Sequence, residues 1–270
     1  MRFRSFLVPL SLLTLFYTSG AWAEAFPSTY SPLPSKATLI TNATVLTGTG
    51  ERLENASILM ADGRISFVGS GDAPADAEVI DANGQWVTPG LIDVHSHLGV
   101  YASPGVKAHS DGNEMTTPAT PNVWAEHSVW PQDPGFSRAL AGGVTSLQIL
   151  PGSGNLIGGR GVTLKNVYSN SYQGMKFPGA PHGMKMACGE NPKRYYGNMK
   201  RSPMTRMGNV AGYREQWISA QKYLDDWEAY DKKVADGEED AKAPKRDLKM
   251  ETLAGVLKGE IIVHMHCYRA

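Results

Sequence analysis

The chain has 270 residues, 41% of them hydrophobic and 19% charged, with 26 Lys and Arg against 26 Asp and Glu. That balance is ordinary for a globular protein. It excludes the excess of basic residues that phosphate neutralisation demands of a nucleic-acid binder, and the length allows one large domain plus a small one.

Residues 1–23 read as a signal peptide. Arg2 and Arg4 precede an apolar stretch, and Ala21-Trp22-Ala23 forms an A-x-A cleavage site before Glu24. The apolar run contains Pro9 and falls short of the roughly 20 residues that a membrane span needs. A periplasmic or secreted mature chain, without a membrane anchor, is therefore expected to begin at Glu24. Its two cysteines, Cys188 and Cys267, show no CxxC or zinc-finger spacing. A fold of this size can build a sizeable core and does not need a disulfide framework.

Residues 24–36 are rich in Pro and Ser and read as a flexible lead. Residues 37–90 form a β-rich block: β-branched and polar residues alternate, Asp62-Gly63 signals a hairpin, and another strand pair is expected around Asn83-Gly84. From residue 91 the pattern alternates. LIDVHSHL reads as a strand buried on both faces, DPGFSRALAGG as a helix ended by Gly142, and VTSLQIL and GMKMACG as further strands. In residues 212–235, Trp217, Ala220, Leu224 and Trp227 lie on one helical face. A charged loop follows, then a helix with Asp247 as candidate N-cap, then the strand EIIVHMHCYR. Strands alternating with helices point to βα units around a parallel sheet or barrel. The glycine-rich PGSGNLIGGRG lacks phosphate-loop spacing and reads as a loop over the barrel mouth, and no G-x-S-x-G elbow is present.

Alternation places Asp93, His95 and His97 on one face of their strand. Two imidazoles at the C-terminal end of a barrel strand are placed to share a metal. Lys185 and Glu190 have opposite strand parity, so a regular strand cannot point both inward. With Met184 and Met186 outward, Lys185 and Ala187 face the interior, where an ammonium needs a partner or a task. Glu190 is expected past the strand in a loop fixed by Asn191-Pro192, either as a ligand or paired with Lys193 or Arg194. His264 and His266 share a face of the last strand, with His264 deeper and read as a core histidine. His109 and His127 read as surface residues of a polar insert that could cover the site, and His182 as structural.

Pro89-Gly90-Leu91-Ile92-Asp93-x-His95-x-His97, then GGVTSLQILPGSGNLIGGRG, GMKMACGENPKR and VHMHCYRA, taken in that order, resemble the amidohydrolase superfamily. The likeness is narrower to its exported imidazolonepropionase-like and prolidase-like members. It implies a (β/α)8 TIM-type barrel, present here to about strand five, preceded by part of a small β-sandwich at residues 37–90. It also implies one or two divalent ions, zinc first, activating water against a C–N bond. His95, His97 and His266 would be ligands, Lys185 (as a carbamate) or Glu190 the anionic bridge, and Arg269 an anchor for an anionic substrate group. The substrate implied is a small molecule: a cyclic amide, an imidazolone-like ring or a dipeptide. Deamination is the alternative chemistry, and a homo-oligomer stays open.

The family pattern also includes a sixth-strand histidine and a general-base aspartate on strand eight, expected beyond residue 270. A complete barrel takes about 250 residues, more than residues 91–270 supply. The chain is accordingly expected to be either a fragment of a longer enzyme or a truncated, non-catalytic metal-binding product.

Overall fold

The computed structural model describes residues 25–269, so the expected signal peptide lies outside the described residues. Among them, no helix is long and apolar enough to cross a membrane. Two sheets organise the chain. The first contains β1 (Thr38–Leu46), β2 (Arg52–Ala61), β3 (Arg64–Gly69), β4 (Glu78–Asp81) and β5 (Trp86–Val87), in the order β3-β2-β1-β4 with β5 also on β1. Asp62 and Gly63 both take positive φ, 53° and 71°, as a two-residue hairpin between β2 and β3 requires. Ala43, Val45, Ala56, Ile58 and Ala82 form its apolar cluster.

The strand pair expected around Asn83-Gly84 is not a hairpin. β4 and β5 both run parallel to β1. The left-handed Asn83 and Gly84 make an offset along one sheet edge, where Gly84 N–H donates to Asn42 O at 2.7 Å and Thr44 N–H to Gln85 O at 3.0 Å.

The second sheet holds β6 (Leu91–Ser96), β7 (Val144–Ile149), β8 (Ile157–Lys165), β9 (His182–Gly189) and β10 (Ile261–Tyr268), in the order β10-β9-β8-β7-β6. The β6–β7 and β9–β10 pairs are parallel, whereas β8 is antiparallel to both neighbours. The sheet is therefore mixed, not purely parallel. Half of the expected glycine-rich loop is strand β8. Its glycines serve close approach: a Cβ on Gly159 would stand 2.4 Å from Val123 O, and one on Gly161 would stand 2.8 Å from Ile149 O.

Helices α1 (Pro134–Ala141), α2 (Tyr172–Met175), α3 (Glu190–Asn198), α4 (Arg206–Ala235) and α5 (Leu248–Leu257) accompany this sheet. Asp133 caps α1 through Gly135 N–H at 2.9 Å and also accepts from Gly99 N–H at 2.9 Å, which ties the helix start to the chain leaving β6. Asp247 caps α5 as expected, accepting from Lys249 N–H at 2.8 Å. Ala220 of α4 and Leu253 of α5 pack on Met184 and Met186, so these methionines face the helices and Lys185 faces the other way. The layered result is a mixed α/β fold with a curled, half-barrel sheet.

Residues 26–30, expected to be part of a flexible lead, are fixed to this second body. Thr29 N–H donates to Gln173 O at 3.0 Å and Ser28 Oγ–H to Lys176 O at 2.7 Å. Lys176 Nζ in turn donates to Phe26 O at 2.5 Å while paired with buried Glu126 at 2.7 Å. The buried ion pair needs those extra partners, and the lead supplies one.

Candidate metal centre

β6 ends at Ser96, leaving His95 on the strand and His97 one residue beyond it. His95 and His97 have ring centroids 5.1 Å apart, and His95 and His266 5.6 Å apart. Among the described residues β6 and β10 are the two edges of the sheet, and its curl brings their histidines together across its concave face. Between them lies Lys185 of β9, wholly buried at 0% exposure. Its Nζ reaches Pro151 O at 3.0 Å, Ser153 Oγ at 3.0 Å and His95 Nε2 at 3.3 Å.

Hydrogen bonds fix most of the ring orientations. His97 Nδ1 lies 2.8 Å from Leu150 O; a carbonyl can only accept, so Nδ1 carries the proton and Nε2 keeps its lone pair. His266 Nδ1 meets Ser153 Oγ at 2.5 Å. Burial first, then the Lys185 charge and the neighbouring imidazoles, push His95 down to about 4. Burial also lowers His97, His264 and His266, with Lys185 adding to the effect. Lys185 itself is pushed by burial down to about 8. The site thus holds its imidazoles neutral, as metal ligation requires.

Among the described residues, no three His, Cys, Asp or Glu side chains form a metal-holding group by themselves. The donor set nevertheless fits a cation. The Lys185 ammonium already sits where an imidazole nitrogen, a carbonyl oxygen and a hydroxyl oxygen converge. What the set lacks is an anion.

Glu190 is not in the expected loop but is the first residue of α3, which follows β9 without a break. It pairs neither with Lys193 nor with Arg194: its Oε2 is 3.5 Å from Arg269 Nε. The two residues expected as bridge and substrate anchor thus meet each other at the strand ends. His264 is half-buried, in register with Lys185 and against Gly183, where a Cβ would stand 2.8 Å from its ring. His109 and His127 lie away from the cluster, beside Trp130 and Trp124. His182 Nδ1 donates to Gly161 O, 3.2 Å away, at the opposite end of β9. Burial, with Arg160 and Lys176 nearby, pushes it down to about 4.

Ser153 was not singled out by sequence reasoning. Its signal is the pair of flanking glycines: a Cβ on Gly152 would lie 2.1 Å from Asn113 Nδ2, and one on Gly154 2.3 Å from Met115 Sδ. The polar insert therefore presses onto this turn, and Asn155 Nδ2 donates to Glu114 O at 2.7 Å beside it. The cysteines were also underread, since Cys188 and Cys267 form a disulfide between β9 and β10.

One consequence is a pH dependence of stability. The lowered imidazoles bind protons more readily in the unfolded chain, so their contribution is complete above the ordinary histidine value of about 6.5 and is lost as pH falls towards 4. Unfolding midpoints of the metal-free protein should fall steadily between pH 7 and 4.5. A midpoint independent of pH over that range would contradict the buried, neutral assignment.

No family model matches the chain. Relatives and solved structures do. The amidohydrolase tasK of Hapsidospora irregularis is 34% identical over 263 residues, covering 86% of this chain and 27% of its own length. A 5-methylthioadenosine/S-adenosylhomocysteine deaminase of Bacillus cereus (strain AH820) is 33% identical over 118 residues, 42% of this chain and 25% of its own. The crystal structure of an amidohydrolase from Thermotoga maritima MSB8 superposes with a TM-score of 0.75 at 39% identity, covering 86% of this chain and 58% of that one. The chain thus spans about a quarter of the length of these curated relatives. It belongs to the amidohydrolase superfamily and covers the N-terminal part of that fold.

Proposed function

We propose that the chain carries the first part of a metal centre that hydrolyses a C–N bond in a small molecule. The observation behind this reading is the convergence of His95, His97 and His266 on buried Lys185. Those residues would hold one or two divalent ions, zinc first. A bound ion supplies a water with a pKa near neutrality and polarises the scissile carbonyl.

Lys185 is the better candidate for the missing anion, because Glu190 is engaged with Arg269. Carboxylation supplies the charge: the ammonium loses a proton, the nitrogen lone pair adds to the carbon of CO2, one C–O π pair moves to oxygen, and a second proton leaves nitrogen. The product is an anionic carbamate. His97, anchored by Leu150 O, presents Nε2 without reorientation. Arg269, 83% exposed, stays available to an anionic substrate group beyond its bond to Glu190. No general base is assigned among the described residues.

The names of the relatives, which include a deaminase and a dihydroorotase from Halalkalibacterium halodurans, support a small-molecule substrate. Within this class the deaminase match favours deamination as a second reading. The curled sheet is read as the first part of a closed (β/α)8 barrel, and the first sheet as part of a β-sandwich. Export is part of the same reading, supported by the signal-like residues 1–23 and by a disulfide suited to an oxidising compartment.

The test is metal content by mass spectrometry on full-length protein, together with hydrolysis of a panel of cyclic amides, dipeptides and aminopurines. One or two ions per chain and turnover are expected, with both lost in His95→Ala. Absence of any bound ion after incubation with zinc and bicarbonate would overturn the reading.

A further inference from the structure

The Ser153 hydroxyl touches two of the proposed ligand groups at once, Lys185 Nζ at 3.0 Å and His266 Nδ1 at 2.5 Å. A hydroxyl has one proton to donate and two lone pairs with which to accept. The Lys185 ammonium has three N–H groups, and it has three acceptors around it: Pro151 O, Ser153 Oγ and His95 Nε2. An ammonium can only donate to Oγ, so of the two partners of Ser153 only His266 Nδ1 can accept the serine proton. With the serine proton spent on that bond, the ring proton of a neutral His266 is on Nε2, where it masks the outward lone pair.

We propose that Ser153 is a positioning residue that couples the state of Lys185 to the tautomer of His266. While Lys185 is an ammonium, Ser153 donates to His266 and the imidazole presents an N–H. Once Lys185 is a carbamate it becomes an acceptor, and the Ser153 proton turns to it. His266 Nδ1 must then donate to Ser153 Oγ, which frees Nε2 as a ligand. The order of assembly follows: the bridge forms first, and the β10 histidine is released to bind an ion second.

The turn that carries Ser153 is built to hold this position. Pro151 supplies the neighbouring carbonyl to Lys185, and Gly152 and Gly154 admit side chains of the insert within distances that any Cβ would forbid. The hydroxyl is therefore placed by packing, independently of either partner.

The inference rests on the metal-centre reading, and two measurements separate their failures. In metal-free, bicarbonate-depleted full-length protein labelled with 15N-histidine, long-range 1H–15N spectra report the tautomer of His266. The expected result is a proton on Nε2, with an Nδ1 resonance that moves in Ser153→Ala as its hydrogen bond is lost. A proton on Nδ1, or an unmoved Nδ1 resonance, would overturn the coupling whatever the metal content. In zinc titrations with bicarbonate, Ser153→Ala should weaken the His266-side ion by about 10-fold or more, as loss of a ligand-orienting partner does, and Ser153→Thr should restore it. Equal affinity in Ser153→Ala and wild type would defeat the proposal and leave the metal centre standing. A wild type that takes up no ion would defeat the metal reading and with it the assembly order.

Discussion

Lys185→Met should cost the protein its bound ion and lower C–N bond hydrolysis by at least about 100-fold, while the chain still folds. Loss of a mere orienting partner already costs about 10- to 100-fold, and Lys185 stands at the centre of the cluster with its Nζ on His95, Pro151 and Ser153. Methionine matches its length and removes a buried charge, so the sheet is not asked to collapse around a void. A second readout identifies the charge itself. Burial holds the Lys185 ammonium at about 8 against an ordinary 10.5, so the folded state carries a penalty below pH 8 that disappears as pH rises to 10.5. Between pH 8 and 10.5 the stability of metal-free wild type relative to Lys185→Met should rise by about 3 kcal/mol. Wild-type turnover in the variant, measured on full-length protein, would remove Lys185 from the site.

Reduction of the Cys188–Cys267 disulfide, or its replacement by two serines, should lower unfolding stability by about 4 kcal/mol on loop-closure grounds. The bond closes a separation of 79 residues and joins directly paired positions of β9 and β10. Its leverage is local as well. Among the described residues β10 has β9 as its one neighbour in the sheet, and it carries His266, so the disulfide fastens this strand to the strand of Lys185. Urea midpoints with and without reductant provide the measurement. An unchanged midpoint would show that strand pairing alone secures the edge.

These residues also show which parts of the molecule could be read in advance. The parity of Lys185 against Met184 and Met186 was legible because a two-residue period leaves no choice once the methionines meet helices. The α4 face of Ala220 and Leu224 and the Asp247 cap were legible for equally local reasons. Strand β8 was not, since glycine composition suggests a loop and says nothing of the neighbours Val123 and Ile149 that demand it. The Glu190–Arg269 contact and the Ser153 bridge depend on which strands lie side by side. Ser153 and His266 are separated by 113 positions in the chain, and no spacing rule spans them. The same holds for the cysteines, whose pairing follows from the register of β9 on β10.

The placement of His95 and His266 on opposite edges of one five-stranded sheet makes their separation a caliper of its curvature. Each strand between them contributes its own twist, so the cluster integrates distortions made far from any ligand. A bulky residue at Gly161 or Gly183, which pair with each other two strand positions from the level of Lys185, would open the jaws by flattening the arc. On the proposed metal reading, ion affinity is a gauge of sheet shape, and changes elsewhere in the sheet should register there before they register in global stability.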